Sequence, residues 1–76
     1  NFRVDDAPAC VDAVLNSFAG RTVSIDRLDG VTVDLGDGSW FNLRTSNTEP
    51  LLRLNVEAPT SGEVDAIVAQ VLAAMS

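Results

Sequence analysis

The spacing of apolar residues changes twice along the chain, and these changes limit the folds that the chain can adopt. Near the start, four apolar residues recur at helical spacing and predict a helix over 7–19; these are Val11, Val14, Leu15 and Phe18. Between 22 and 58, apolar and polar residues alternate, which is the period of half-buried strands. From Val64 onward the helical spacing returns and predicts a second helix over 61–75.

Cap and turn residues bound these segments. Acids precede the first helix, a proline lies in its first turn and a glycine follows it. A threonine with a glutamate three residues on forms a capping box at the start of the second. These residues are Asp5, Asp6, Pro8, Gly20, Thr60 and Glu63. Between the strands, Asp29-Gly30 and Asp37-Gly38 are typical dipeptides of tight hairpin turns.

The order of these segments predicts the fold class. Four alternating segments joined by short turns indicate a four-stranded antiparallel sheet. Because helices and strands are segregated along the chain, we expect an α+β fold of order αββββα, with both helices packed on one face of the sheet. The length of 76 residues allows one domain. We expect 1–6 to be the end of an interdomain linker or hinge and 7–76 to be the domain.

Side-chain parity in the last two strands separates core from surface. The apolar residues Phe41 and Leu43, and likewise Leu52 and Leu54, should face the helices. The intervening polar residues fall on the opposite face; these are Asn42, Arg44, Arg53, Asn55 and Glu57. Arg44 and Arg53 flank one loop, and we expect them to lie near each other.

Charge and cysteine content exclude several classes. Eleven acidic and five basic residues give a formal net charge of −6, which argues against binding nucleic acid or an anionic membrane surface. Cys10, the one cysteine, excludes an intrachain disulfide and fits a reducing, cytoplasmic location. It lies on the apolar side of the first helix, so we interpret it as a small core residue. With no histidine, no metal-binding spacing is present.

The acidic residues do not form a recognisable catalytic or metal site. A calcium loop beginning at Asp34 would need a glutamate where Thr45 stands. Glu49 and Glu57 could serve as acid and base only if the fold brought them together, and no pattern indicates that. Glu57 has Arg53 on the same side of its strand, so we expect a structural ion pair there. We assign no catalytic residue.

The loop RTSNTEP, residues 44–50, concentrates hydrogen-bond donors. Arg44 has the planar fork that binds phosphate with two hydrogen bonds. Ser46, Asn47 and Thr48 add hydroxyl and amide donors, and consecutive backbone N–H groups can form an anion nest. The loop therefore suits phosphate or carboxylate. The alternative is that these short polar side chains only stabilise the turn.

The run DGSWFNLRTSNTEPLLRLNVEA, residues 37–58, resembles the C-terminal domain of the α-D-phosphohexomutases. That family has R-x-S-G/N-T-E-P, then apolar-Arg-apolar and an E-A ending. Asn47 stands where many members have glycine, and a similar Ser-Asn-Thr occurs in the phosphomannomutase/phosphoglucomutase branch, which we favour over phosphoglucosamine mutases. The opening Asn1–Val4 looks like the strand leading from a preceding domain, so we expect the chain to be part of a longer protein.

The resemblance implies a role within a larger enzyme. Such enzymes interconvert hexose 1-phosphates and 6-phosphates through a bisphosphorylated sugar, using a phosphoserine in another domain. The phosphate that is not reacting would be clamped by Arg44, Ser46, Asn47 and Thr48. Thr45, Glu49 and Arg53 would lie around them. The implied partners are a phosphosugar and the enzyme's other domains. Magnesium and a hexose 1,6-bisphosphate activator are implied for the full-length enzyme, whereas this domain would bind no cofactor and be inactive alone.

A second interpretation stays open. The chain could be a stand-alone protein-interaction or anion-binding α+β domain without an enzymatic role. In that case the sheet face carrying Trp40, Asn42 and Arg44 would dock a protein partner.

Overall fold

The computed structural model describes residues 2–46 and 48–76 and has the predicted α+β class. Within those residues two α-helices pack on a five-stranded sheet of order β1-β5-β4-β3-β2, in which every neighbouring pair is antiparallel. The elements are β1 (Phe2–Arg3), α1 (Ala7–Phe18), a 3-10 turn (Ala19–Arg21), β2 (Ser24–Asp26), β3 (Val31–Gly36), β4 (Ser39–Thr45), β5 (Leu51–Glu57) and α2 (Ser61–Met75).

The prediction of four strands was wrong, because β1 adds a fifth at the edge beside β5. Phe2 lies opposite Leu52 and Arg3 opposite Leu51. The Val4 N–H then donates to the Pro50 carbonyl at 2.9 Å. A strand of two residues pairs through its backbone and is too short to show an alternating side-chain pattern, so periodicity did not reveal it. The resemblance indicated a strand at the start of the chain, but as a link from a preceding domain and not as part of this sheet. That 1–6 ends a linker or hinge stays a prediction.

Both helices begin at the predicted caps. The Asp6 side chain accepts a hydrogen bond from the Ala9 N–H at 3.1 Å, and Pro8 lies in the first turn of α1. The Thr60 hydroxyl accepts from the Glu63 N–H at 3.2 Å. α2 has the predicted bounds, whereas α1 ends at Phe18 and continues as the 3-10 turn. Neither helix in the described ranges is long and apolar enough to cross a membrane.

The core lies between the helices and one face of the sheet, as the alternation predicted. Its buried side chains come from α1, α2 and the three central strands; they are Val11, Val14, Phe18, Val33, Phe41, Leu43, Leu52, Ile67 and Val71. The rings of Phe18 and Phe41 join α1 to β4, with centroids 4.7 Å apart and an interplanar angle of 51°. Each fully buried large side chain stabilises the fold by about 1.5–3 kcal/mol.

The edge strand β2 departs from this pattern. Alternation correctly indicated a strand there, yet Val23 just before β2 is 68% exposed and Ile25 within it is 44% exposed. Neither side chain is among those packed against the core. The core therefore depends on the three middle strands, of which β4 contributes two buried side chains and β3 and β5 one each.

Candidate functional site

The pairing of β4 with β5 places two arginines side by side. In this antiparallel register Asn42 lies opposite Asn55, and Arg44 lies opposite Arg53. Directly opposed residues project on the same side of a sheet, with Cβ atoms about 4.5–5.5 Å apart. The prediction that these arginines lie near each other is thus confirmed. Like charges in this position destabilise a sheet, so the pair is an unfavourable arrangement unless an anion compensates it.

The loop that joins these strands is built around the Ser46 hydroxyl. Its Oγ accepts hydrogen bonds from the N–H groups of Thr48 and Glu49, each at 3.3 Å. The Ser46 N–H donates to the Leu51 carbonyl at 3.1 Å. Ser46 therefore does form the turn, as the alternative interpretation held. Because its oxygen is the acceptor in both contacts, its own O–H proton is still available to donate to a ligand.

An open cleft of about 280 Å³ lies beside this loop. Leu51 and five of the seven predicted site residues line it; those five are Arg44 and Ser46 of the predicted clamp and the surrounding Thr45, Glu49 and Arg53. This volume is near the lower limit for small-molecule sites. Thr48 is not among the lining residues, and its described contact is the backbone bond to Ser46. The predicted role of Asn47 falls outside the described residues.

Arg44 makes an ion pair that the sequence did not predict. Its Nη2 lies 3.3 Å from Oδ1 of Asp29, which belongs to the loop between β2 and β3. The side chains are 49% and 77% exposed, respectively. A guanidinium has five N–H donors, and this contact uses one nitrogen, so much of the fork is still available.

The loop between β2 and β3 is anchored where it carries Asp29. Gly30 has a φ of +70°, and a Cβ atom built there would lie 2.5 Å from the Leu43 carbonyl oxygen and 2.7 Å from Cγ of Arg44. The Asn42 side-chain amide donates to the Asp29 carbonyl at 2.9 Å. The sequence showed Asp29-Gly30 as a turn. Only the register of β3 against β4 reveals that this turn lies next to Arg44.

The expected ion pair between Arg53 and Glu57 was wrong. Glu57 instead accepts a hydrogen bond through Oε2 from Nε1 of Trp40, its cross-strand partner, at 2.8 Å. Four residues along a strand span about 13 Å, too far for a direct contact. Within 2–46 and 48–76, Arg53 forms no ion pair, so its charge faces the cleft without a protein counter-ion.

Two further features considered in the sequence are Cys10 and possible metal-binding side chains. Cys10 is partly buried and packs against the core, which confirms its interpretation as a small core residue. In the part of the chain that the structure describes, no three His, Cys, Asp or Glu side chains are grouped so as to hold a metal ion. The described lining of the cleft combines two arginines, the carboxylate of Glu49 and the serine-centred loop.

These features define a small α+β domain with a cationic cleft at one end of its sheet. Residues 1–74 match the family model described as "Phosphoglucomutase/phosphomannomutase, C-terminal domain". The chain belongs to this family of C-terminal domains, and the resemblance of residues 37–58 is confirmed.

Three relatives show the extent of the similarity. A protein of Xanthomonas campestris pv. campestris (strain B100) named "Phosphohexose mutases" is 53% identical over 58 residues, which cover 75% of this chain and 12% of that protein. A "Phosphomannomutase" of Methanocaldococcus jannaschii is 45% identical over 58 residues, 76% of this chain and 12% of that protein. A "Probable phosphoglucosamine mutase" of Methanothermobacter thermautotrophicus is 42% identical over 50 residues, 66% and 11% of the respective chains. The aligned part of the chain thus spans 11–12% of the length of these relatives.

Proposed function

We propose that this chain is the C-terminal domain of a phosphohexomutase of the phosphomannomutase/phosphoglucomutase branch. Its role is to clamp the non-reacting phosphate of a hexose 1-phosphate, 6-phosphate or 1,6-bisphosphate during intramolecular phosphoryl transfer. The observation that carries the proposal is the opposed pair Arg44 and Arg53 beside the Ser46 loop. On a chain of net charge −6, two arginines facing one cleft form a local site for an anion.

The donors of the cleft match the acceptors of a phosphate. The Arg44 fork provides charge and paired N–H groups, and the Ser46 hydroxyl provides a neutral donor. A hydrogen bond to a charged group contributes about 1.5–3 kcal/mol, so a few of them can hold a phosphate. A dianion also offsets the repulsion between Arg44 and Arg53. The predicted contributions of Asn47 and Thr48 belong to the same proposal.

A clamp of this kind needs no catalytic group. It recognises the phosphate alone, so it accepts either end of the sugar. Binding energy at this remote group helps to position the reacting end elsewhere in a longer protein. The cleft does not fit a magnesium site, since Mg²⁺ prefers several carboxylate and phosphate oxygens, whereas the lining has two arginines and a single carboxylate, that of Glu49. We therefore assign magnesium and the phosphoserine to other domains, and the bisphosphate activator to the whole enzyme. A cytoplasmic location belongs to the same proposal.

Titration of the 76-residue chain with inorganic phosphate, glucose 1-phosphate and mannose 1-phosphate tests the clamp. We expect ¹H–¹⁵N NMR shifts centred on 44–48, with a Kd of about 1 mM or weaker, because one phosphate contact yields only about −4 kcal/mol. Arg44→Gln should abolish them. Arg21→Gln is the matched control, because Arg21 stacks on Phe18 and binds Gln70 on the helix side of the sheet. Shifts elsewhere, or none at high ligand concentration, would contradict the clamp.

A chimera tests the enzymatic part of the proposal. In it, this chain replaces the C-terminal domain of the Xanthomonas campestris relative. We expect the chimera to interconvert hexose phosphates and the isolated chain to be inactive. Arg44→Gln in the chimera should raise KM, because the clamp binds the substrate, and lower kcat, because binding at this remote group also positions the reacting end. An active chimera whose kinetics do not change on Arg44→Gln would remove Arg44 from the clamp.

A further inference from the structure

Asp29 places a carboxylate on the arginine that we assign to the phosphate. Its Oδ1 lies 3.3 Å from Nη2 of Arg44, on a side chain that is 77% exposed. Asp29 comes from the loop between β2 and β3, fifteen positions before Arg44, and lies outside the RTSNTEP motif. Neither the motif nor the hairpin-turn reading assigns its side chain a role.

The backbone beneath Asp29 is held close to β4. Gly30 approaches the Leu43 carbonyl and the Arg44 stem so closely that no side chain fits there. The Asn42 amide donates to the Asp29 carbonyl oxygen at 2.9 Å. These contacts act on the backbone of the loop rather than on the carboxylate. The charge of Asp29 can therefore be removed without removing what anchors the loop.

The carboxylate can affect phosphate binding in two opposite ways. As a positioning group it would hold the Arg44 guanidinium in the orientation that binds phosphate, and so strengthen binding. As a competing anion it would occupy the fork and repel the incoming phosphate. Exposed ion pairs stabilise a geometry only slightly, often not measurably. Two anions on one guanidinium lie well within the Debye length of about 10 Å, and removing one of them changes the affinity of a dianion by about threefold to tenfold. The competing effect is the larger.

We propose that Asp29 is a built-in competing anion that lowers the affinity of the candidate site for phosphate and speeds the release of phosphate. The inference rests on the proposed function, since it assumes that Arg44 binds phosphate. It also explains a requirement of that function. A clamp that holds first one phosphate of a bisphosphorylated sugar and then the other must release the first. Asp29 lines a second depression that shares Arg44 with the cleft, and from there its carboxylate pairs with Arg44 as the phosphate leaves.

Phosphate titration of the wild-type chain and two variants tests this inference. Asp29→Asn keeps the size of the side chain and removes its charge. Asp65→Asn removes the same charge from an exposed position on α2, on the other side of the sheet. We expect Asp29→Asn to lower the Kd for inorganic phosphate by about threefold to tenfold, and Asp65→Asn to change it by less than about twofold. The gain should appear mainly as slower dissociation in NMR line shapes, and it should shrink in high salt.

The outcomes separate this inference from the function on which it rests. Absence of wild-type shifts at 44–48 would overturn the clamp and, with it, the role of Asp29. Wild-type binding together with equal or weaker binding by Asp29→Asn would overturn the role of Asp29 alone. Asp29→Ser provides an independent second variant, since it removes the carboxylate entirely and should tighten binding in the same direction. Core amide shifts that match the wild type establish that each variant is folded.

Discussion

The two faces of β4 and β5 share one backbone but differ in burial and in charge. On the helix side, Phe41, Leu43 and Leu52 are fully buried. On the open side, Arg44 and Arg53 oppose each other as like charges beside a cleft. The buried face places apolar side chains in the core, which stabilises the sheet, whereas the open face places two like charges opposite each other, which destabilises it. The difference separates residues that stabilise the domain from residues that we propose bind a ligand.

Phe41→Ala should produce the largest effect and tests the buried face. Truncating a buried phenylalanine costs about 3–5 kcal/mol, which is a large part of the stability of a chain this small. Urea unfolding measures the loss. Asn42→Ala, one residue along on the open face, is the control and should cost about 1 kcal/mol, since it removes hydrogen bonds to Asp29 and Thr32. Equal losses of stability in the two variants would show that the helix-facing side does not contribute more to stability than the open side.

Gly30→Ala should have an intermediate effect on stability. It tests whether the open face is sensitive to a change in the backbone of the loop that packs against β4. The new Cβ would meet the Leu43 carbonyl at 2.5 Å, in a backbone conformation with φ +70°. We expect a loss of about 1–3 kcal/mol in thermal unfolding, with shifted amides at Asp29 and Arg44. Gly62→Ala is the matched control, since nothing lies within 4 Å of its Cβ position and alanine favours a helix by up to about 1 kcal/mol. A harmless Gly30→Ala would contradict the close approach of this loop to β4.

Arg53→Gln should have the smallest effect on stability and a clear effect on binding. Removing one of two opposed arginines should change the free energy of unfolding by no more than about 0.5 kcal/mol. It should nevertheless weaken phosphate binding several-fold in the same NMR titration, because the cleft loses its unpaired cation. If the affinity does not change, Arg53 takes no part in phosphate binding, and Arg44 is the one arginine of the pair that binds the ligand.

Local sequence patterns predicted most of the fold correctly. The helix over 61–75 and its cap at Thr60 were confirmed, because capping and helical spacing act within a few residues. The alternation in β4 and β5 correctly assigned Phe41 and Arg44 to opposite faces. Periodicity did not predict β1 as part of the sheet, because two residues that pair through backbone groups have no side-chain pattern. The Arg53–Glu57 pair was wrong because sharing a face does not bring residues four apart into contact.

The helices, the alternation of the strands and the family motif could all be predicted from local patterns, because each depends on neighbouring residues. Which distant groups meet could be seen only in the folded chain. Pairing of β3 with β4 and of β4 with β5 brings Asp29 and Arg53 to Arg44. Cross-strand contact depends on register, which the whole sheet and its core set together. The charge around the candidate site is therefore a property of the folded chain.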